Sequence, residues 1–203
     1  MPTISCLLFD LGGVLVRNVG FDRLNALLPA PLEAEALKAK LLRSPSFRAF
    51  ELGDSAPEAF AQSLVLELGL RCTPMEFLEE FRTWPQGFYP GATEFLAKLR
   101  LKYKLACLSN SNALHWARFG GFHEYFDVAL SSHLLKVIKP DVACFHKALV
   151  ECDVNSNEVL FFDDALVNVE AARACGIQSL HVRNFDEVRI QVNQLRLLSP
   201  TDA

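Results

Sequence analysis

From residue 87 onward one pattern recurs: a short apolar run that does not alternate with polar residues, then a segment of helical period. Tyr103–Leu108, Val128–Ser131, Val159–Phe162 and Ser179–Val182 read as strands. Ala92–Leu101, Ala113–Phe119, Val142–Glu151, Val167–Ala174 and a closing segment from about Phe185 read as helices. Strands alternating with helices of this length build βαβ units and therefore a parallel sheet. Unalternating apolar strands fit a sheet covered on both faces.

A first strand stands apart from this array. Ile4–Phe9 is an apolar run that stops at Asp10, with Gly12 and Gly13 following, so a buried strand delivers an acid into a glycine-containing loop. From about Phe21 to Phe81 the character differs. LNALL, LEAEALKAKLL, PEAFAQSLVLELGL and PMEFLEEF have helical period and are separated by Pro, Gly and Ser, with no convincing strand among them. The expected architecture is α/β: a Rossmann-like three-layer core with a parallel sheet (residues 1–15 and 87–203). A small all-helical cap (residues 16–86) is inserted after the first strand. A length of 203 residues suits one domain carrying such an insertion.

Composition narrows the partners. A 51% hydrophobic chain is too apolar for disorder, and 24 acids against 20 bases leave no basic footprint, so no nucleic-acid partner is expected. No stretch nears the roughly 18 consecutive apolar residues of a membrane helix. The N-terminus has no basic segment or cleavage pattern of a signal peptide. Cys6, Cys72, Cys107, Cys144, Cys152 and Cys175 form no CxxC pair and lie in apolar runs, as reduced, buried thiols of a cytoplasmic protein would.

In open α/β sheets, ligands bind beyond the carboxyl ends of the strands. Asp10, Ser109-Asn110 and Asp163-Asp164 close three predicted strands, and Lys139 lies in the loop after Val128–Ser131. Carboxylates converging on one crevice repel each other unless a cation neutralises them, and a hard ion such as Mg²⁺ suits oxygen ligands. The lysine, hydroxyl and amide suit a tetrahedral anion. A carboxylate facing a bound phosphate is a candidate nucleophile.

Four segments carry a family resemblance: FDLGGVL at 9–15, LSNSN at 108–112, IKPD at 138–141 and FFDDALVNVEAARACGI at 161–177. In this order and spacing the chain resembles the haloacid dehalogenase superfamily, in the phosphatase subgroup with a helical cap after the first motif. The DLGG and FxDD variants are similar to those of sugar-phosphate phosphatases and the phosphatase domain of soluble epoxide hydrolases. The resemblance implies a Mg²⁺-dependent phosphomonoesterase acting on a small phosphorylated metabolite. Asp10 matches the nucleophile that becomes an aspartyl-phosphate, Ser109 and Asn110 the phosphate-holding pair. Lys139 matches the lysine that neutralises phosphate and orients the nucleophile. Asp164 matches the direct metal ligand, with Asp163 supporting, while Asp10 and the Gly12 carbonyl complete the protein's share of the metal site. Asn168 stands where many relatives carry a further acid.

The departure is Gly12, where most such phosphatases have an Asp that transfers protons. Glycine keeps the carbonyl and loses the proton transfer. The leaving group is then good enough to need little protonation, or a water or cap residue substitutes, or turnover is slow or absent. Two other readings stand beside the phosphatase: a metal-independent haloacid dehalogenase-type hydrolase, and a non-catalytic binder of a phospho-ligand. His115, five residues after Asn110, is a candidate proton donor. Glu51–Ser55 resembles a cap loop that dips toward the active site. Lys136 reads as a solvated surface residue, and the cap aromatics Phe47, Phe50, Phe60, Phe77, Phe81 and Trp84 as cap core.

Overall fold

The computed structural model describes residues 3–119, 122 and 124–198. Five parallel strands form the central sheet: β1 (Cys6–Phe9), β4 (Lys104–Ser109), β5 (Val128–Ser131), β6 (Val159–Asp163) and β7 (Gln178–His181). Their spatial order is β5-β4-β1-β6-β7. In register, Phe9 lies between Cys107 and Phe162, Ser109 opposite Ser131, and Asp163 opposite His181. The motif residues therefore leave the same edge of the sheet.

The strands lack polar alternation because both faces are covered. Leu7 and Phe9 of β1 join one apolar cluster, with α6 (Ala92–Arg100) and α11 (Phe185–Gln194). Cys6 and Leu8 join the opposite one, with α9 (Val142–Cys152) and α10 (Leu166–Ala174). Both β1 pairs are buried, which a two-faced strand requires. Among the described residues Cys6, Cys107, Cys144 and Cys152 are buried, as expected. Cys72 and Cys175 are only half-buried, one before α5 and one at the end of α10.

Between the first strand and the array lie α1 (Gly20–Leu27), α2 (Ala34–Arg43), α3 (Pro45–Glu51), α4 (Pro57–Leu68) and α5 (Pro74–Arg82). Proline opens α3, α4 and α5, where its missing N–H costs no hydrogen bond. A Thr73–Glu76 capping box fixes the start of α5. These helices enclose their own core, in which Phe60 stacks on Phe50 at 4.1 Å and meets Phe81 at 5.0 Å between ring centroids. The expected all-helical insert carries one strand as well. β2 (Val16–Asn18) pairs antiparallel with β3 (Pro85–Phe88) where the chain enters and leaves the cap. A three-residue strand is too short to show a period in sequence.

The remaining helices are the short α7 (Ala113–Ala117), which ends before the expected Phe119, and α8 (Ser132–Leu135). Both follow strands of the sheet, and α7 borders the cavity described next through His115.

Candidate active site

A cavity of about 310 Å³ lies beyond the carboxyl edge of the sheet, closed on its other side by the cap. Its floor is built from strand ends. The Asp10 backbone N–H donates to the Phe162 carbonyl, which carries the β1–β6 pairing one residue past the strand. The chain then turns tightly, with Val16 N donating to Leu11 O and Gly13 N to Val16 O. Gly13 has φ +82°, and a Cβ there would lie 3.2 Å from Asp164 Oδ2. Only glycine meets both demands, and the Asp164 carboxylate can then lean over this loop.

Lys139 is the centre of the floor. Its Nζ donates to Asp10 Oδ1 and to Asp163 Oδ2, both at 2.7 Å, with the side chain 1% exposed. Burial disfavours its charge, but the two carboxylates outweigh that and hold its pKa above the usual lysine value. Its loop is clamped by Asn110, whose Oδ1 accepts from Lys139 N and whose Nδ2 donates to Lys139 O, each at 2.9 Å. Ser109, at the end of β4, also lines the cavity. Asn110 lines it too, but with part of its side chain engaged on Lys139.

The paired acids of β6 diverge. Asp163 is fully buried and lies off the cavity wall. It accepts from Lys139, from the Ala165 N–H and from Asn168 Nδ2. Asn168 is thus an amide that satisfies Asp163 in place of a further acid. Its oxygens being occupied, Asp163 supports Lys139 and is not placed to touch a metal. Asp164 lines the cavity, and Lys38 of the cap reaches its Oδ2 at 3.3 Å.

Asp10, Gly12 and Asp164 therefore share one cavity. Burial pushes Asp10 up to about 7, Lys139 pulls it down, and Asp163 and Asp164 push it up again. Burial also raises Asp164, against Lys38. A buried and a half-buried carboxylate, both raised in this way, suit a divalent cation. Among the described residues no three His, Cys, Asp or Glu side chains gather to enclose a metal. Asp10, Asp164 and the Gly12 carbonyl would then be the protein donors, a set that fits Mg²⁺, an ion that keeps several waters.

The cap presents a different face. Phe21, Leu41, Leu42, Phe47, Phe81 and Trp84 line the cavity. The cap aromatics are therefore both core and wall. Glu51, the last residue of α3, lines it as well, and its Oε1 accepts from Asn112 Nδ2 at 2.8 Å. Neither Asp54 nor Ser55 caps α4, whose N-cap is Ala56. Lys136 is exposed, as expected, and its Nζ also donates to the carbonyls of Leu52 and Gly53 and to Asp54 Oδ1, so it ties the cap loop to the core. A Cβ at Gly53 (φ +70°) would meet Lys136 Nζ at 3.0 Å and the His133 carbonyl at 3.1 Å, a measure of how closely this loop is seated.

His115 lines the cavity without being able to donate to it. Its Nε2 lies 2.7 Å from the Phe81 carbonyl, which makes Nε2 the protonated nitrogen, and Nδ1 receives the Asn112 amide at 3.3 Å. The ring stacks on Phe81 at 4.2 Å. Burial lowers its pKa to about 4, so it is neutral at pH 7. The expectation of a proton donor at His115 fails because both nitrogens are committed inside the protein.

The sequence profile of haloacid dehalogenase-like hydrolases matches residues 4–176. A sesquiterpene phosphatase of Aspergillus oryzae is 26% identical over 199 residues, 95% of this chain and 97% of the relative. Among solved structures, a haloacid dehalogenase family enzyme of Bacteroides thetaiotaomicron, in complex with magnesium and inorganic phosphate, superposes with TM-score 0.68 at 23% identity, covering 88% of this chain and 93% of that one. The L-2-haloacid dehalogenase of Xanthobacter autotrophicus gives 0.62 at 20% identity, with 98% and 86% covered. At these identities the structures establish the fold, and the profile establishes the family. Its match runs from the strand that delivers Asp10 to the helix behind Asp164. The chain belongs to the haloacid dehalogenase-like hydrolases.

Proposed function

We propose that the protein is a magnesium-dependent phosphomonoesterase that works through an aspartyl-phosphate on Asp10. The observation that carries this reading is Lys139, buried between Asp10 and Asp163 at one end of a cavity whose other acid is Asp164. An Asp10 oxygen bonds to phosphorus as the ester P–O bond breaks, and water then cleaves the acyl phosphate. Lys139 orients Asp10 and, with Ser109 and loop N–H groups that include Asn110, offers positive potential to the phosphate oxygens. Magnesium, held by Asp10, Asp164 and the Gly12 carbonyl, would supply further neutralisation of that charge. Asp163 and Asn168 hold Lys139 in place.

The rest of the cavity is mostly apolar, which favours a phosphate ester of a small apolar alcohol over that of a sugar. The Aspergillus relative, named a sesquiterpene phosphatase, points the same way. A panel of phosphorylated metabolites with and without Mg²⁺ tests the function. Hydrolysis should require Mg²⁺ and vanish in Asp10→Asn. Full Mg²⁺-dependent hydrolysis by that variant would sink the assignment. The dehalogenase reading fits less well, because Asp164 would repel an anionic haloacid. Metal-free dehalogenation would restore it. The binder reading rests on Gly12 alone and predicts Mg²⁺-dependent binding of a phosphate analogue with no turnover.

A further inference from the structure

Gly12 leaves the expected reaction without a proton donor on the nucleophile loop. Space is not the reason, since a Cβ at Gly12 would meet nothing nearer than Asn18 Nδ2 at 3.6 Å. The titratable side chains on the cavity wall are Asp10, Lys38, Glu51, His115, Lys139 and Asp164. Lys139 is locked between two carboxylates, and Lys38 lies on Asp164. His115 has both nitrogens engaged.

Glu51 remains. Among the described residues its side chain is held at one oxygen only, by Asn112. Its backbone is fixed to the core, the carbonyl lying 2.6 Å from the Ser132 hydroxyl that also receives the Ser111 N–H. Asn112 is itself rigid, fully buried, with its Oδ1 capping α7 through His115 N. Among the described residues no cation pairs with Glu51: Arg48 on the same helix turns to Asp141, and Lys136 binds the 52–54 segment.

We propose that Glu51 of the cap is the general acid and base of this enzyme, replacing the side chain that Gly12 lacks. The proposal rests on the phosphatase reading above. In the first half-reaction Asp10 bonds to phosphorus, the ester P–O bond breaks, and the Glu51 carboxylic acid passes its proton to the departing oxygen, which leaves as the alcohol. In the second, the Glu51 carboxylate takes a proton from water as the water oxygen bonds to phosphorus. The Asp10–phosphorus bond breaks, and inorganic phosphate leaves. Both residues return to their starting states. Burial supports the role, since it pushes Glu51 up to about 7, against the one hydrogen bond from Asn112. The acid sits on the cap and the nucleophile on the core, so proton transfer is available only with the cap seated.

Glu51→Gln tests this, because the amide oxygen still accepts from Asn112. Its kcat/KM is compared with wild type on 4-nitrophenyl phosphate, whose leaving group needs no proton, and on a simple alkyl phosphate. The alkyl ester should lose about 10²–10³-fold and the aryl ester less than about 10-fold. Wild-type alkyl turnover should fall as pH rises above about 7, and that limb should disappear in the variant. Adding Gly12→Asp to Glu51→Gln should restore alkyl turnover, which a purely structural role would not allow. Equal losses on both esters, or no loss, in a variant with wild-type thermal unfolding would overturn the proposal. If wild type cleaves neither ester, the phosphatase reading falls first and takes this one with it.

Discussion

The two walls of the cavity are made of opposite materials. The core wall is charged and rigid: Asp10 and Asp164 follow strand ends, and Lys139 sits on a loop clamped through its backbone by Asn110. The cap wall is mostly apolar and rests on the core through contacts that include Lys38–Asp164, Arg48–Asp141, the Lys136 tie and the bonds of Glu51 to Asn112 and Ser132. A wall fixed by a sheet can hold reacting groups to fractions of an ångström. A wall carried on a stalk can open, select by shape and bring a group in on closing. On this division, chemistry fails when the first wall is altered, and choice of substrate or timing changes when the second is.

The largest expected effect is therefore on the core wall. Asp10→Asn should lower kcat by at least about 10³-fold with substrate binding retained, as single-turnover kinetics would read. An equal loss from any cap apolar residue would break the comparison. Lys139→Met should abolish turnover and also destabilise the fold by about 3–5 kcal/mol, since Asp10 and Asp163 are left buried without their cation. Chemical denaturation checks the second part, and unchanged stability would mean that the buried network is not what holds this edge.

Glu51 is the exception, an acid on the apolar side, and its pH dependence sharpens the contrast. Its folded pKa of about 7 lies above the ordinary glutamate value of 4.5, so the unfolded chain gives up this proton first. Its burial then costs stability progressively as pH rises from about 4.5 to 7. Glu51→Gln should leave stability near that of wild type at pH 4.5 and raise it by up to about 3 kcal/mol at pH 8. Unfolding curves at both pH values that move together would count against this.

Smaller effects follow on the cap. Phe21→Ala should raise KM for an apolar ester by about 10-fold and leave inhibition by inorganic phosphate unchanged. A matching loss of phosphate affinity would show that the ring serves the core wall instead. Smallest of all, Arg48→Ala removes an exposed ion pair worth less than about 1 kcal/mol, so kcat/KM should change less than about threefold.

The same division governs what could be read from residues alone. Asp10, Ser109, Asp163 and Asp164 each close or follow an apolar strand, a local signal that survives without knowledge of the fold. Which of Asp163 and Asp164 faces the cavity depends on how the chain leaves β6, so strand pairing alone does not give it. The backbone clamp from Asn110 and the amide of Asn168 on Asp163 join residues through space and leave no pattern in sequence. On the cap, α3 is seven residues long and too short to display a helical period. Ser44-Pro45 was its available signal, since Ser44 accepts from Phe47 N and Pro45 opens the helix. The committed nitrogens of His115 depend on Phe81, distant in sequence, so its neutrality was invisible from its place after Asn110.

The paired strands β2 and β3 carry a consequence of another kind. Val16 and Phe88 are register partners, so the chain leaves the nucleophile loop and returns to the same spot after the whole excursion. The central sheet thus never senses how long that excursion is. A loop of a few residues joining the two strands would close the same circuit, and so would a bulkier subdomain. The stalk is in effect a socket: substrate preference can be exchanged by replacing what is plugged into it, without renegotiating the packing of the sheet that holds Asp10.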